Sequence, residues 1–335
     1  MKKLWILFTA LALLAVAMPA IADVTTGAVF YWYGITDFDD ATADVAKVHK
    51  ARIKVAGDVD EYNKIATELR YGQAGGSWNG TDVEVQIFTL TTDITGALGL
   101  DLPVTIKSTV GVWESDFTSW WYVANGWGFV GGANDDNQIN GAAQLDLGFG
   151  PATLHYYQNM GAGAESTMMV GVDGAFGPVA AWLAYKAEAA ALGDGALFVE
   201  AKYAGSFGDL ALSIYPALKY DLAASALGWN VGVKAGFKML TVGAVVGGTD
   251  PDYFDKVAAE LGAAFGNAGL RAAAYMDLSN TDVLAGVDLM ASYKFGAATF
   301  YLGYAIDGDN GVLTIPIDDE WTASEGLYLG VKASL

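Results

Sequence analysis

A Phe, usually followed at once by Gly, recurs through the second half of this chain at nearly fixed spacing. It stands at Phe149-Gly150, Phe176-Gly177, Phe207-Gly208, Phe237-Lys238, Phe265-Gly266 and Phe295-Gly296, at intervals of 27, 31, 30, 28 and 30 residues. A fixed period of this size means one supersecondary unit copied through an array. Each Phe closes a run of period-2 alternation, and the next run begins too soon for anything but a tight turn, so the unit is a β-hairpin. From Gln144 to Phe149, Leu145, Leu147 and Phe149 share one face, with Gln144, Asp146 and Gly148 on the other. From Asn230 to Phe237, Val231, Val233, Ala235 and Phe237 oppose Asn230, Gly232, Lys234 and Gly236. One face is apolar and ends in an aromatic; the other is polar, charged or Gly.

Residues 1–22 read as a secretory signal peptide. Lys2 and Lys3 precede an apolar run from Leu4 to Ala17, and Ala20-Ile21-Ala22 forms a small-x-small cleavage site. The expected mature chain starts at Asp23 and has 335 − 22 = 313 residues. Removing two of the 18 Lys and Arg leaves 16 against 38 acidic residues, a formal charge of −22. That acidity excludes a nucleic-acid partner, which calls for a basic surface. There is no Cys, so neither disulfides nor thiolate chemistry contribute. Hydrophobic content is 53 %, yet no stretch after residue 22 is long and apolar enough for a membrane helix. A closed transmembrane β-barrel reconciles these facts, because it faces lipid with alternate residues and pairs every backbone group between strands.

Alternation and turn chemistry predict an all-β, antiparallel up-and-down barrel of 16–18 strands. Eighteen is the best count, with strands near 24–35, 48–58, 64–73, 83–96, 104–114, 138–150, 152–161, 167–177, 179–189, 196–208, 210–222, 229–239, 240–249, 257–267, 269–280, 282–296, 297–307 and 326–335. Connections after even strands are expected to be short, and those after odd strands longer and rich in Asp, Asn and Gly. The connection from Ser115 to Asn137 is the longest, about 23 residues, and its bulky aromatics argue against disorder.

In its signal peptide, its hairpin array and the place of this long loop, the chain resembles the porins of Gram-negative outer membranes. The resemblance covers the whole mature chain. It implies an outer-membrane channel for small hydrophilic solutes and ions, a homotrimer, and a long loop that folds into the barrel and narrows it after strand 5. One departure is the C-terminal run, which alternates correctly but ends on Leu335 where such barrels commonly end in an aromatic.

Lys50, Arg52 and Lys54 share one strand face, opposite Ala51, Ile53 and Val55. Lipid penalises a midplane Lys or Arg by about 2–4 kcal/mol, so that face must look inward. Arg70 and Lys107 are expected to extend it into a basic wall. Glu114, Asp116, Asp135 and Asp136, at the root and far end of the long loop, are the candidate acids facing it across a constriction. The alternative is that these are ordinary interior charges and solvated loop acids. Trp120, Trp121, Tyr122 and Trp127 are candidates for stacking on sugar rings, or for an interfacial girdle. Asp37, Asp39, Asp40 and Asp44, Asp250, Asp252 and Asp255, and Asp307, Asp309, Asp318, Asp319 and Glu320 make three outer loops acidic. They would concentrate cations and could take divalent ions. No metal site, cofactor or catalytic residue is expected: His49 and His155, the only histidines, stand far apart with no nucleophile elbow or metal-ligand spacing. A structural or adhesive surface barrel is the reading from a different class.

Overall fold

In the computed structural model, residues 23–36, 46–72, 83–116, 138–159, 167–188, 195–279, 284–307 and 326–334 are described. They form eighteen strands: β1 (Asp23–Thr36), β2 (Ala46–Asp58), β3 (Asn63–Gly72), β4 (Val83–Asp93), β5 (Thr105–Asp116), β6 (Gln138–Phe149), β7 (Ala152–Gln158), β8 (Thr167–Phe176) and β9 (Val179–Glu188) make the first half. The second half is β10 (Ala196–Phe207), β11 (Leu210–Asp221), β12 (Ala226–Phe237), β13 (Leu240–Thr249), β14 (Asp252–Phe265), β15 (Ala268–Asp277), β16 (Leu284–Phe295), β17 (Ala298–Asp307) and β18 (Gly326–Ser334). Each strand pairs antiparallel with its sequence neighbours, and β18 pairs with β1 to close the ring.

The sheet inverts the usual sense of burial. In β15 Leu270 is 55 % exposed, whereas Ala273 and Tyr275 on the opposite face are buried. The same parity runs round the ring: Phe88, Leu145, Val172, Leu183, Leu218, Val242, Leu289 and Leu329 point outward and are exposed. Met169 and Tyr328, which point inward, are fully buried. An outward apolar band on a closed antiparallel sheet is the arrangement that lipid requires. The small residues of β14 and β15 divide by the same rule. Ala258 and Ala273 are interior, while Ala259, Ala263, Ala272 and Ala274 share the lipid face with Leu261 and Leu270.

The Phe-Gly turns form one end of the barrel. Gly150, Gly177, Gly208, Gly266 and Gly296 have φ between 59° and 63°, a left-handed conformation that costs a side-chain-bearing residue about 1–2 kcal/mol. A Cβ at any of them would meet nothing within 4 Å, so conformation and not space selects Gly. The sixth turn breaks the pattern: Lys238 adopts φ 52°. The β2–β3 connection lies at the same end. There the Asp60 carboxylate accepts from the Asn63 amide and from the backbone N–H groups of Tyr62 and Asn63. The Asn63 side chain is the main cause holding the Asp60 carboxyl below its ordinary value of 3.8. A depressed carboxyl lends its stability above that value and loses it as pH falls further.

Three sequence expectations need correction. Strand β4 stops at Asp93 and not near 96, because Asp93 caps a four-residue helix, α1 (Ile94–Ala97), accepting from Gly96 N–H at 3.0 Å. The β13–β14 connection is no acidic outer loop. It is a two-residue turn, Asp250-Pro251, so Asp252 and Asp255 belong to β14. The β11–β12 connection, Leu222 to Ser225, is also short, so loop length alternates less regularly than the composition implied.

Two outcomes are expected. Lys238→Gly should raise stability by about 1–2 kcal/mol in urea unfolding from detergent micelles. Leu289→Arg on the lipid face should cost about 2–4 kcal/mol in the same assay run in lipid vesicles.

Candidate functional site

The interior carries scattered charges from different strands that register brings together. The most connected group spans β12 to β18. Arg271 Nε lies 3.2 Å from Glu260 Oε2 and its Nη1 2.8 Å from Asp288 Oδ2, so one planar guanidinium bridges two carboxylates. Tyr328 donates its hydroxyl to Asp288 Oδ1 at 2.6 Å. Lys234 Nζ stands 3.8 Å from Glu260 Oε1. Asp288 is 1 % exposed and keeps both oxygens occupied, the condition for burying a carboxylate.

Tyr328 reaches β16 across β17 because its opposite residue in that strand is Gly303. A Cβ there would run into the Tyr328 ring. The glycine therefore makes the floor on which the tyrosine lies.

A second group spans β6 to β9. His155 Nδ1 is 2.7 Å from Asp146 Oδ1 and Nε2 is 2.8 Å from Asp173 Oδ1. Carboxylates accept only, so both contacts are hydrogen bonds together when both ring nitrogens carry hydrogen. Gln144 donates to both Asp146 oxygens, at 2.7 and 2.8 Å. The imidazole lies 5.2 Å from the Trp182 ring and 6.0 Å from Tyr157. Beside it, Tyr157, Met169, Trp182, Ala184 and Phe198 form a buried apolar cluster, with Ile87 of β4 packed against it. Strand β4 is not a neighbour of β7–β10 in the sheet, so interior side chains meet across the barrel there. Among the described residues no three His, Asp or Glu side chains converge as a metal site.

Of the sequence-predicted basic wall, Arg52 and Lys54 share one interior carboxylate. Arg52 Nε is 3.7 Å from Glu68 Oε1 and Lys54 Nζ 3.0 Å from Glu68 Oε2, with Glu68 buried. Lys107 stands apart from them, its strand position opposite Asp93 on one side and Asp146 on the other. By register Arg70 is opposite Arg52, and Lys50 opposite Gly72. Glu114 and Asp116 occupy the end of β5. The side chains of Lys50, Arg70, Glu114 and Asp116 are not among those described, and Trp120, Trp121, Tyr122, Trp127, Asp135 and Asp136 lie outside the described residues. Sequence reasoning missed Glu68, the Asp146–His155–Asp173 group and the Arg271 network. Each strand contributes too few charges to form a run, and the only signal was a charge on the polar face of an alternating strand.

No family model matches the chain, and no curated protein matches it in sequence. Solved structures match its fold. A triple mutant of the Rhodopseudomonas blastica porin aligns over 93 % of this chain and 99 % of its own, at 15 % identity and TM-score 0.57. Pseudomonas aeruginosa OccK2 (OpdF) in complex with glucuronate covers 94 % and 98 %, at 8 % identity and 0.57. Pseudomonas aeruginosa OpdK with vanillate covers 94 % and 99 %, at 10 % identity and 0.58. At these identities the likeness is one of fold: a porin-type barrel.

Tyr328→Phe should cost about 1.5–3 kcal/mol, the worth of a hydrogen bond to a charged group. Gly303→Ala should cost about 1–3 kcal/mol by overpacking the same site. Because both act on one network, a double-mutant cycle in urea unfolding should show coupling, with the pair costing less than the sum.

Proposed function

We propose that the chain is an outer-membrane porin, a water-filled barrel that passes small hydrophilic solutes and ions by passive diffusion and favours cations. The observation that carries the reading is the partition of charge: the described Arg, Glu and His of the strands lie on the interior face, and the lipid face is apolar. A sheet closed in this way around a polar wall has the composition of a conducting pore. The fold likeness to porins supports the same reading. Export by a signal peptide of residues 1–22 belongs to the same proposal, supported by Lys2 and Lys3 ahead of the apolar run and by Ala20-Ile21-Ala22.

Selectivity in this proposal comes from a transverse field between Lys50, Arg52, Lys54, Arg70 and Lys107 and the loop acids Glu114, Asp116, Asp135 and Asp136. Cation preference is supported by the sharing of Glu68 between Arg52 and Lys54, which offsets the basic wall, and by interior Asp146, Asp173, Glu200, Glu260 and Asp288. The formal charge of −20 for the full chain adds to it. Assembly as a homotrimer and divalent-cation binding at the acidic outer loops belong to the same proposal. A solute-specific channel is the second reading. The interior aromatic cluster of Tyr157, Trp182 and Phe198 beside His155 favours it.

In planar bilayers under a KCl gradient, the purified barrel should give stepwise conductance with a cation-selective reversal potential. Asp173→Asn should move that potential toward the anion side. Absence of steps would overturn the channel reading, and block by maltooligosaccharides would move the assignment to a sugar-specific channel.

A further inference from the structure

An apolar groove of about 540 Å³ runs along the lipid face from β13 to β18. Its floor is Ala263, Ala272 and Ala291, and its ridges include Leu261, Leu270 and Leu289. The pattern follows from register. One hydrogen-bonding row reads Leu240, Ala263, Leu270, Ala291, Leu302, and the next reads Leu261, Ala272, Leu289, Tyr304, Leu327. Large and small residues alternate along the first row, and in the second Ala272 stands between Leu261 and Leu289, so each alanine leaves a pit between leucines. The volume falls in the range of about 300–1,000 Å³ that holds a drug-sized apolar ligand.

The groove is oblique to the membrane. Leu240 directly follows the Lys238–Met239 turn, Ala263 and Leu270 stand three residues in from the Gly266–Asn267 turn, and Ala291 and Leu302 stand five residues in from Gly296–Ala297. It therefore starts at the short-turn end of the barrel and rises toward the middle of the bilayer.

At its lower end is the one Phe-Gly turn in which Gly is replaced. Lys238 is exposed in the left-handed conformation that glycine fills in the five sister turns, with its ammonium 5.2 Å from the centre of the Phe237 ring. Among the described residues it has no carboxylate within salt-bridge distance. Phe237 is itself exposed on the lipid face, which sets Lys238 at the level of the headgroups. A strained cation beside the entrance of an apolar groove is matched by a molecule with an anionic head and a long apolar chain.

We propose that this face binds one acidic glycerophospholipid of the short-turn leaflet, its phosphate at Lys238 and one acyl chain in the groove over Ala263, Ala272 and Ala291. The inference rests on the barrel and its lipid face, and is independent of conduction.

Native mass spectrometry of the full barrel in detergent, titrated with dioleoylphosphatidylglycerol or dioleoylphosphatidylcholine, tests it. The wild type should retain one phosphatidylglycerol in preference to phosphatidylcholine. Lys238→Gly should weaken that retention roughly fivefold while the barrel unfolds no earlier, which separates lipid loss from misfolding. Filling the pits with Ala263→Leu and Ala272→Leu should remove retention of both lipids. Equal retention of the two lipids, retention unchanged in Lys238→Gly, or retention unchanged by the filled groove would each overturn the proposal. So would a lipid-free oligomer that the filled groove dissociates, since a second copy of the chain would then be the occupant.

Discussion

Pairing of β18 with β1 is the constraint on which the rest of this structure depends. In a bilayer every strand N–H and C=O must find a partner in the protein, since lipid offers none, and an open sheet would leave two edges unpaired. Eight residue pairs from Val29↔Ser334 to Thr36↔Leu327 close the ring. Closure makes the two faces of every strand unequal all the way round. With period-2 side chains, a residue's parity decides whether it meets lipid or the interior, and one misplaced strand would turn a row of leucines inward and a row of charges into hydrocarbon.

That inequality is also why the interior can carry charge at all. Arg271, Glu260 and Asp288 come from three different strands and become neighbours through register. Each carboxylate receives a cation or a hydroxyl, and the guanidinium spends its fork on two acceptors instead of one. The Asp146–His155–Asp173 arrangement repeats the logic on the opposite part of the wall with an imidazole between two carboxylates and a glutamine as the supporting donor. The two groups differ in surroundings. The first is roofed by Tyr328, whereas the second borders an apolar cluster to which β4 contributes Ile87 from across the barrel.

Much of the fold was legible in the sequence because its signals are local. The six Phe-terminated turns and the alternation from Leu145 to Phe149 or from Val231 to Phe237 need no knowledge of the partner strand, and they sufficed for eighteen strands and for their faces. The end of β4 at Asp93 and the start of β14 at Asp252 were misjudged because a carboxylate cap and a two-residue X-Pro turn override alternation. The site was less legible. The run Lys50, Arg52, Lys54 stood out because three like charges share one strand, yet Glu68 of the next strand, which meets both Arg52 and Lys54, is a lone charge that gave no such signal. Single charges such as Asp173 or Asp288 carry no signal until register assigns them neighbours. Lys238 is legible as a departure from its own repeat, but its meaning depends on a groove that only the assembled sheet creates.

Gly303 shows how such a sheet can check its own alignment. Sliding β17 by one residue would exchange its faces, an error that lipid punishes. Sliding it by two leaves every face correct, so hydropathy alone cannot detect it. In that misalignment Tyr301 or Ala305 would stand where Gly303 now faces Tyr328, and the ring that reaches over to Asp288 would be pushed off its seat. An absent side chain thus acts as a notch that a single tyrosine fits, marking the true frame among frames that the bilayer itself treats as equivalent.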